Sequence, residues 1–160
     1  MFMESNLPVT MPALALRGLT VFPNMLLHFD VGREASIKAL DEAMTTGQPV
    51  FLVAQRDLSV ESPQLNDLYT IGTTCNVRQI LRLPGDNVRV MVEGVSRGRM
   101  HSLPQTSPYL MAEVEEIRPE EPVKRSARTE ALIRQTYELF ERYIELAPKM
   151  TPDILLSVLA

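Results

Sequence analysis

The side chains that could carry out chemistry are few and scattered in this sequence of 160 residues. Cys75 is the single cysteine, so no disulfide can form within the chain, and its place in a strand-like segment favours core packing over a reactive thiol. The two imidazoles, His28 and His101, have no cysteine or cluster of acids beside them, which argues against a metal site. Glu115 and Glu116 would point to opposite faces of a strand, so they cannot act together as acid and base.

The chain also lacks the familiar motifs of phosphate binding and hydrolysis. No GxxxxGK[ST] loop, GxSxG elbow or HExxH helix occurs. We therefore expect no catalytic residue, no metal and no cofactor in this chain. An arginine series could meet phosphate, but no aromatic platform is interleaved with it and the net charge of -4 gives no overall attraction, so nucleic-acid binding is the weaker interpretation. The series comprises Arg78, Arg82, Arg89, Arg97 and Arg99.

Targeting signals are missing from the sequence as well. The N-terminal segment contains no lysine or arginine before Arg17, which is wrong for a signal peptide. No apolar run approaches the ~20 residues that a membrane span needs. Together with the single cysteine, these features predict a cytoplasmic protein that makes no membrane contact.

Residues 1–117 predict a small α+β domain. Arg33–Thr46 has apolar residues at helical spacing (Ile37, Leu40 and Met44), and Gly47 supplies the stop. From Gly72 a period-two pattern on both sides of the turn Pro84–Asn87 predicts an antiparallel hairpin, and Gly94 and Gly98 suggest a bulge or sharp bend before the segment that begins at Arg97. Further strands are predicted at Pro49–Gln55 and Tyr109–Ile117. Several short strands and one helix are typical of a barrel-like domain.

Residues 118–126, rich in proline and charge, predict a linker, and residues 127–160 predict the beginning of a helical subdomain. The helix Ala127–Ala147 has an apolar stripe that could support a dimer, although packing on other helices is the more common role of such a stripe. Pro148 ends it, and Thr151 with Pro152 predicts another helix start. That last helix reaches Ala160 with no cap, so we expect the chain to be a fragment of something longer.

The segment Leu14–Phe29 is unusually apolar for irregular backbone. Core strand positions explain part of it, namely Leu14, Leu16, Val21 and Leu27, with Pro23 turning the chain. A functional interpretation applies to the remainder. Other apolar side chains of the segment would be exposed near this turn and would bind the apolar segments that unfolded proteins display. Methionine is suited to this role because it adapts its shape to varied partners. The predicted substrate-binding residues are Leu19, Phe22, Met25 and Leu26.

Three ordered blocks carry a family resemblance. RGLTVFPNMLLHFDVGREASIKALDEAM, then VFLVAQRD, then LYTIGTTCNVRQILRLPGDNVRVMVEGVSRGRM resemble successive blocks of the Lon protease N-terminal domain. The resemblance covers most of Met11–Ile117, and the helices after Ala127 look like the start of the helical region that follows in the bacterial protease. Ala15 and His28 depart from it, since the family commonly has proline at both positions.

The resemblance implies a PUA-like β-barrel-type domain with one packed helix, followed by the start of an α-helical region. It also implies a hexameric, cytoplasmic, ATP-dependent serine protease that degrades misfolded and regulatory proteins. ATP and Mg²⁺ would be used by an AAA+ module, and a Ser-Lys dyad would cut the substrate, both C-terminal to this chain. We therefore expect a non-catalytic substrate-recognition and assembly fragment that binds unfolded or tagged proteins. A stand-alone protein-binding domain and a PUA-like nucleic-acid binder remain as alternatives.

Overall fold

The computed structural model describes residues 7–118 and 126–147. The chain divides into two compact units, Met1–Arg118 and Pro119–Ala160. The described part of the first unit has mixed α+β architecture, which confirms the predicted class. Its elements are β1 (Val9–Leu16), β2 (Leu26–Val31), α1 (Glu34–Thr46), β3 (Val50–Ala54), a short 3-10 helix (Leu65–Asp67), β4 (Ile71–Arg82), β5 (Val88–Gln105) and β6 (Leu110–Ile117).

The six strands form one sheet in the order β2-β5-β4-β3-β1-β6, and β6 pairs again with β5. The five strands from β5 to β6 therefore close on themselves as a barrel. The length of β5 allows two partners on the same side, because Val88–Glu93 pairs with β2 and Arg97–Gln105 pairs with β6. The β1–β3 pair is parallel, whereas the other pairs are antiparallel. β2 lies at the edge of this sheet.

The predicted hairpin is formed by β4 and β5. Its turn is closed by the N–H of Leu83, which donates to the carbonyl oxygen of Asn87 at 2.8 Å. Gly85 and Asp86 both have positive φ there, as tight turns often require. The alternation is also as predicted, since Val88, Val90 and Val92 are fully buried on one face.

The bulge expected in β5 before Arg97 is present, beside Gly94. Thr74 pairs with Ser96 and Cys75 pairs with Gly94, so Val95 is the extra residue. Gly98 is not part of this bulge and sits in regular register opposite Gly72. A Cβ at Gly98 would overlap the Val114 side chain, so glycine allows close packing at this position rather than a bend.

Helix α1 begins after Arg33 and ends where Gly47 adopts φ 67°, as its sequence predicted. Its buried face consists of Ala39, Leu40 and Ala43, which belong to the core cluster that contains the valines of β5. Met44, which the spacing had assigned to the buried face, is 48% exposed. The buried face of α1 is therefore centred on Ala39, Leu40 and Ala43, and Met44 lies at its margin.

The described part of the second unit is one helix, α2 (Ala127–Leu146), and it confirms the predicted helix. Ser126 caps it by accepting a hydrogen bond from the N–H of Thr129 at 3.1 Å. Large apolar side chains remain exposed on it, namely Leu132, Tyr137, Leu139, Tyr143 and Leu146. Most of the predicted linker and the helix expected after Thr151 lie outside the described residues. Within residues 7–118 and 126–147, no helix is long and apolar enough to cross a membrane.

Candidate functional site

The apolar segment between β1 and β2 forms a turn whose shape depends on two residues with positive φ. Gly18 has φ 65° two residues after the end of β1, and Asn24 has φ 62° directly after Pro23. Asparagine tolerates this left-handed conformation better than most residues that carry a Cβ. The N–H of Met25 donates to the carbonyl oxygen of Phe22 at 3.3 Å, which closes the turn.

Backbone contacts with Gly94 of β5 hold this turn in place. The N–H of Asn24 donates to the carbonyl oxygen of Gly94 at 2.9 Å, and the N–H of Gly94 donates to the carbonyl oxygen of Met25 at 2.8 Å. A Cβ at position 94 would overlap the carbonyl oxygen of Phe22. Glycine at position 94 therefore allows the backbone of the turn to approach β5 closely.

Val21 anchors the other side of the turn in the core. Its side chain is buried, and its carbonyl oxygen accepts a hydrogen bond from the hydroxyl of Thr73 at 2.6 Å. Thr73 is itself buried, so this bond satisfies two groups that water does not reach. The side chains that follow Val21 are therefore carried on a backbone that is hydrogen-bonded to the sheet on both sides.

Three of the four predicted binding residues are exposed on this turn and on the first residue of β2. Phe22 is 47% exposed, Met25 is 36% exposed and Leu26 is 64% exposed. Leu19 is half-buried instead and packs against the core. We call Phe22, Met25 and Leu26 the apolar turn surface.

Two neighbours of the apolar turn surface were not foreseen from the sequence. Val95, the extra residue of the bulge, is 47% exposed and follows Gly94. The guanidinium of Arg97 lies 5.2 Å from the ring centroid of Phe22, within the range of a cation–π contact. The only signal for Val95 was the glycine beside it, because a bulge reverses the expected inward and outward alternation.

The arginine series is largely engaged with acids of the same unit. Arg89 donates to Asp30 at 2.7 and 2.9 Å, Arg82 donates to Asp41 at 3.0 Å, and Arg78 pairs with Glu93. The hydrogen bond from Arg89 lowers the pKa of Asp30. A phosphate backbone would have to compete with these carboxylates, so the arrangement gives little support to nucleic-acid binding.

The groups considered for catalysis lie apart from one another. Cys75 is buried, and burial raises the pKa of its thiol to about 12, so the reactive thiolate is scarce at neutral pH. His101 lies 2.7 Å from Glu115 across two strands, whereas His28 is on β2. Among the described residues, no group of three histidine, cysteine or acidic side chains is placed to hold a metal ion.

Residues 10–160 match the family model of the ATP-dependent protease La (LON) substrate-binding domain. Among curated relatives, the chain is 43% identical over 151 residues to Lon protease of Clostridioides difficile, covering 92% of this chain and 19% of that protein. It is 38% identical over 152 residues to Lon protease 2 of Bdellovibrio bacteriovorus, with 94% and 19% coverage. The chain thus spans about a fifth of the length of these relatives.

Two solved structures share the fold. The N-terminal domain of a Mycobacterium avium complex Lon protease aligns with a TM-score of 0.65 at 18% identity, covering 86% of this chain and 68% of that chain. A Lon N-terminal domain protein from Xanthomonas campestris aligns with a TM-score of 0.62 at 15% identity, covering 94% and 89%. At these identities the likeness concerns the fold.

Proposed function

Since this chain belongs to the LON substrate-binding domain family, we propose that it binds unfolded segments of protein substrates through the apolar turn surface. The observation that carries this proposal is the contrast within one turn. Its backbone is clamped to Gly94, yet Phe22, Met25 and Leu26 remain exposed. Removing apolar side chains from water is favourable, and folding usually buries them. Apolar side chains that stay exposed on a hydrogen-bonded turn therefore indicate a binding surface.

The chemistry of this surface fits unfolded proteins rather than folded ones. Unfolded chains display apolar side chains that native proteins bury, so an exposed apolar surface discriminates between the two states. Met25 can adjust its shape to different side chains, which suits a surface that meets many sequences. Leu19, half-buried beside the core, would support the surface from below and contribute less contact area.

The proposal extends to the longer protein of which this chain would be a part. There the domain (residues 1–117), its linker (118–126) and the helical start (127–160) would deliver substrates to an ATP-dependent protease. ATP and Mg²⁺ would serve an AAA+ module, a Ser-Lys dyad would supply serine-protease chemistry, and the enzyme would be a cytoplasmic hexamer. The relatives named Lon protease support this extension. This chain would contribute recognition and assembly but no catalytic residue.

Salt dependence separates this proposal from the alternative of nucleic-acid binding. The experiment titrates the chain into fluorescent α-lactalbumin that has been reduced and alkylated with iodoacetamide, at low and high salt, beside the native protein. We expect binding to the unfolded form alone, with little change at high salt, because apolar contacts are not screened. Binding to a DNA or RNA duplex that falls steeply with salt, without binding to unfolded α-lactalbumin, would favour the alternative.

A further inference from the structure

A cleft of about 430 Å³ lies between the end of β1 and β2, apart from the outward face of the apolar turn surface. Its volume is within the range of about 300–1,000 Å³ that is usual for ligand pockets. We call it the β1–β2 cleft. Its walls are the segment from Leu14 to Arg17, the segment from Phe29 to Arg33, and the side chains of Leu19 and Ser36.

One wall of the cleft is an open strand edge of β2. The carbonyl of Met25 accepts from Gly94 of β5, and main-chain direction alternates along a strand. The N–H and C=O groups of Leu27 and Phe29 therefore face β5, whereas those of His28 and Asp30 face away from it. β2 is at the end of the sheet order, so no strand among the described residues pairs with this edge.

The opposite wall is a second open edge, on β1. The carbonyl of Leu16 accepts from the N–H of Gln55 at 2.9 Å, so the main-chain groups of Leu16 face β3 and those of Ala15 face the other way. On that side β6 pairs with β1 only from Val9 to Ala13. Ala15 is buried and lines the cleft, so its N–H and C=O face a space without a strand partner in the described part of the chain.

Positive charge is concentrated where the cleft meets the first turn of α1. Arg17 and Arg33 both line the cleft. Partial burial lowers the pKa of Arg33, and the charge of Arg17 lowers it further, which reflects two cations held close together. The acid in the lining, Asp30, is already paired with Arg89. Glu61 offsets part of the charge of Arg33 from the loop after β3. A ligand that brings a carboxylate would relieve the repulsion between the two guanidinium groups.

We propose that the β1–β2 cleft binds an extended segment of a protein substrate as an added strand, with an acidic side chain of that segment against Arg17 and Arg33. The outward main-chain groups of Ala15 and Asp30 would bond to the two edges of the added strand. Main-chain pairing does not depend on sequence, which suits a domain that meets many unfolded chains. This inference rests on the proposed function for the identity of its ligand, but it concerns a separate site.

The test uses a fluorescent peptide, N-acetylated and C-amidated, of sequence Val-Thr-Val-Glu-Val-Thr, and fluorescence polarisation with the full chain. We expect saturable binding that weakens by about tenfold or more when alternate amides of the peptide are N-methylated, since several main-chain hydrogen bonds are lost. Replacing the glutamate of the peptide with lysine should also weaken binding. Equal binding of the N-methylated peptide, or no binding of the parent peptide, would overturn the proposal.

A matched pair of variants examines the protein side. Ala15→Pro removes the N–H that faces the cleft but leaves the bonds to β3, whereas Ala15→Gly keeps that N–H. We expect peptide binding by Ala15→Gly and not by Ala15→Pro; if Ala15→Pro fails to fold, the N-methylated peptide decides alone. The double variant Phe22→Asp, Met25→Asp should still bind the peptide but should no longer bind unfolded α-lactalbumin. Loss of peptide binding in that variant would show that the peptide binds to the turn and would contradict binding in the cleft.

Discussion

Asn24 and Gly94 lie far apart in sequence, yet the N–H of Asn24 donates a hydrogen bond to the carbonyl oxygen of Gly94 at 2.9 Å. The N–H of Gly94 in turn donates to the carbonyl oxygen of Met25 at 2.8 Å. This pair of bonds joins an apolar turn to the bulge of β5. The fold thereby fixes the backbone of the turn without covering its side chains. The following predictions depend on that arrangement.

Gly94→Ala should destabilise the domain and distort the apolar turn surface. The new Cβ would overlap the carbonyl oxygen of Phe22, which is backbone and cannot move aside without displacing the turn. We expect a loss of about 1–3 kcal/mol, as is usual for overpacking. Urea unfolding followed by circular dichroism measures it, with Val95→Ala as the control at an exposed neighbouring position. An unchanged urea midpoint for Gly94→Ala would show that the turn is not clamped as described.

Thr73→Val should lower the free energy of unfolding by about 1–3 kcal/mol, because the buried carbonyl oxygen of Val21 would lose its hydroxyl donor. Thr73→Ser is the matched control, since it keeps the hydroxyl and loses only a methyl group. The free energy of unfolding of both variants, from urea titrations, makes the comparison. If Thr73→Val is as stable as the parent chain, the hydrogen bond from the Thr73 hydroxyl does not anchor the turn.

Cys75 should make stability fall at alkaline pH. Its thiol has a pKa raised by burial from 9.0 to about 12, so the unfolded chain releases this proton at a lower pH than the folded chain does. The contribution of Cys75 to the free energy of unfolding is fully present below about pH 9.0 and is lost progressively toward about pH 12. Urea midpoints across this window, compared between the parent chain and Cys75→Ala, report it. If the urea midpoint of Cys75→Ala falls with pH as steeply as that of the parent chain, groups other than Cys75 cause the loss of stability.

The same burial should protect Cys75 from alkylation. Iodoacetamide at mildly alkaline pH should leave the folded chain unmodified for as long as it stays folded, and should label it rapidly in urea. Mass spectrometry measures the extent of labelling. Fast labelling without urea would mean that the strands around Cys75 open far more often than their packing indicates.

The sequence predicted those features that depend on near neighbours in the chain. Alternation at Val88, Val90 and Val92 sufficed for the hairpin, and Gly47 marked the end of α1 because a left-handed residue can be recognised locally. The exposure of Met44 could not be foreseen in this way. Helical spacing defines an apolar face, but the side on which the sheet lies decides which part of that face is buried.

The candidate site shows the same limit. The composition of the turn suggested exposed apolar residues, and Phe22 is indeed exposed. The clamp at Gly94 and the exposure of Val95 depend on a bulge opposite Thr74 and Cys75, which are remote in sequence. Of the two open strand edges of the β1–β2 cleft, the edge of β1 follows from where β6 stops pairing with it, and the edge of β2 follows from its place at the end of the sheet order. Pairing partners of this kind are not encoded in local periodicity.

The most direct test of the account compares two double variants in binding to reduced, alkylated α-lactalbumin. Phe22→Asp with Met25→Asp places charge on the apolar turn surface, whereas Leu58→Asp with Leu65→Asp changes two other exposed apolar residues, which are 52% and 39% exposed. Circular dichroism and urea midpoints first establish that both variants remain folded. We predict that the turn variant binds at least about tenfold more weakly, since two large apolar contacts are lost, and that the control binds like the parent chain. Equal affinity of the turn variant and the parent chain would contradict substrate binding through this surface.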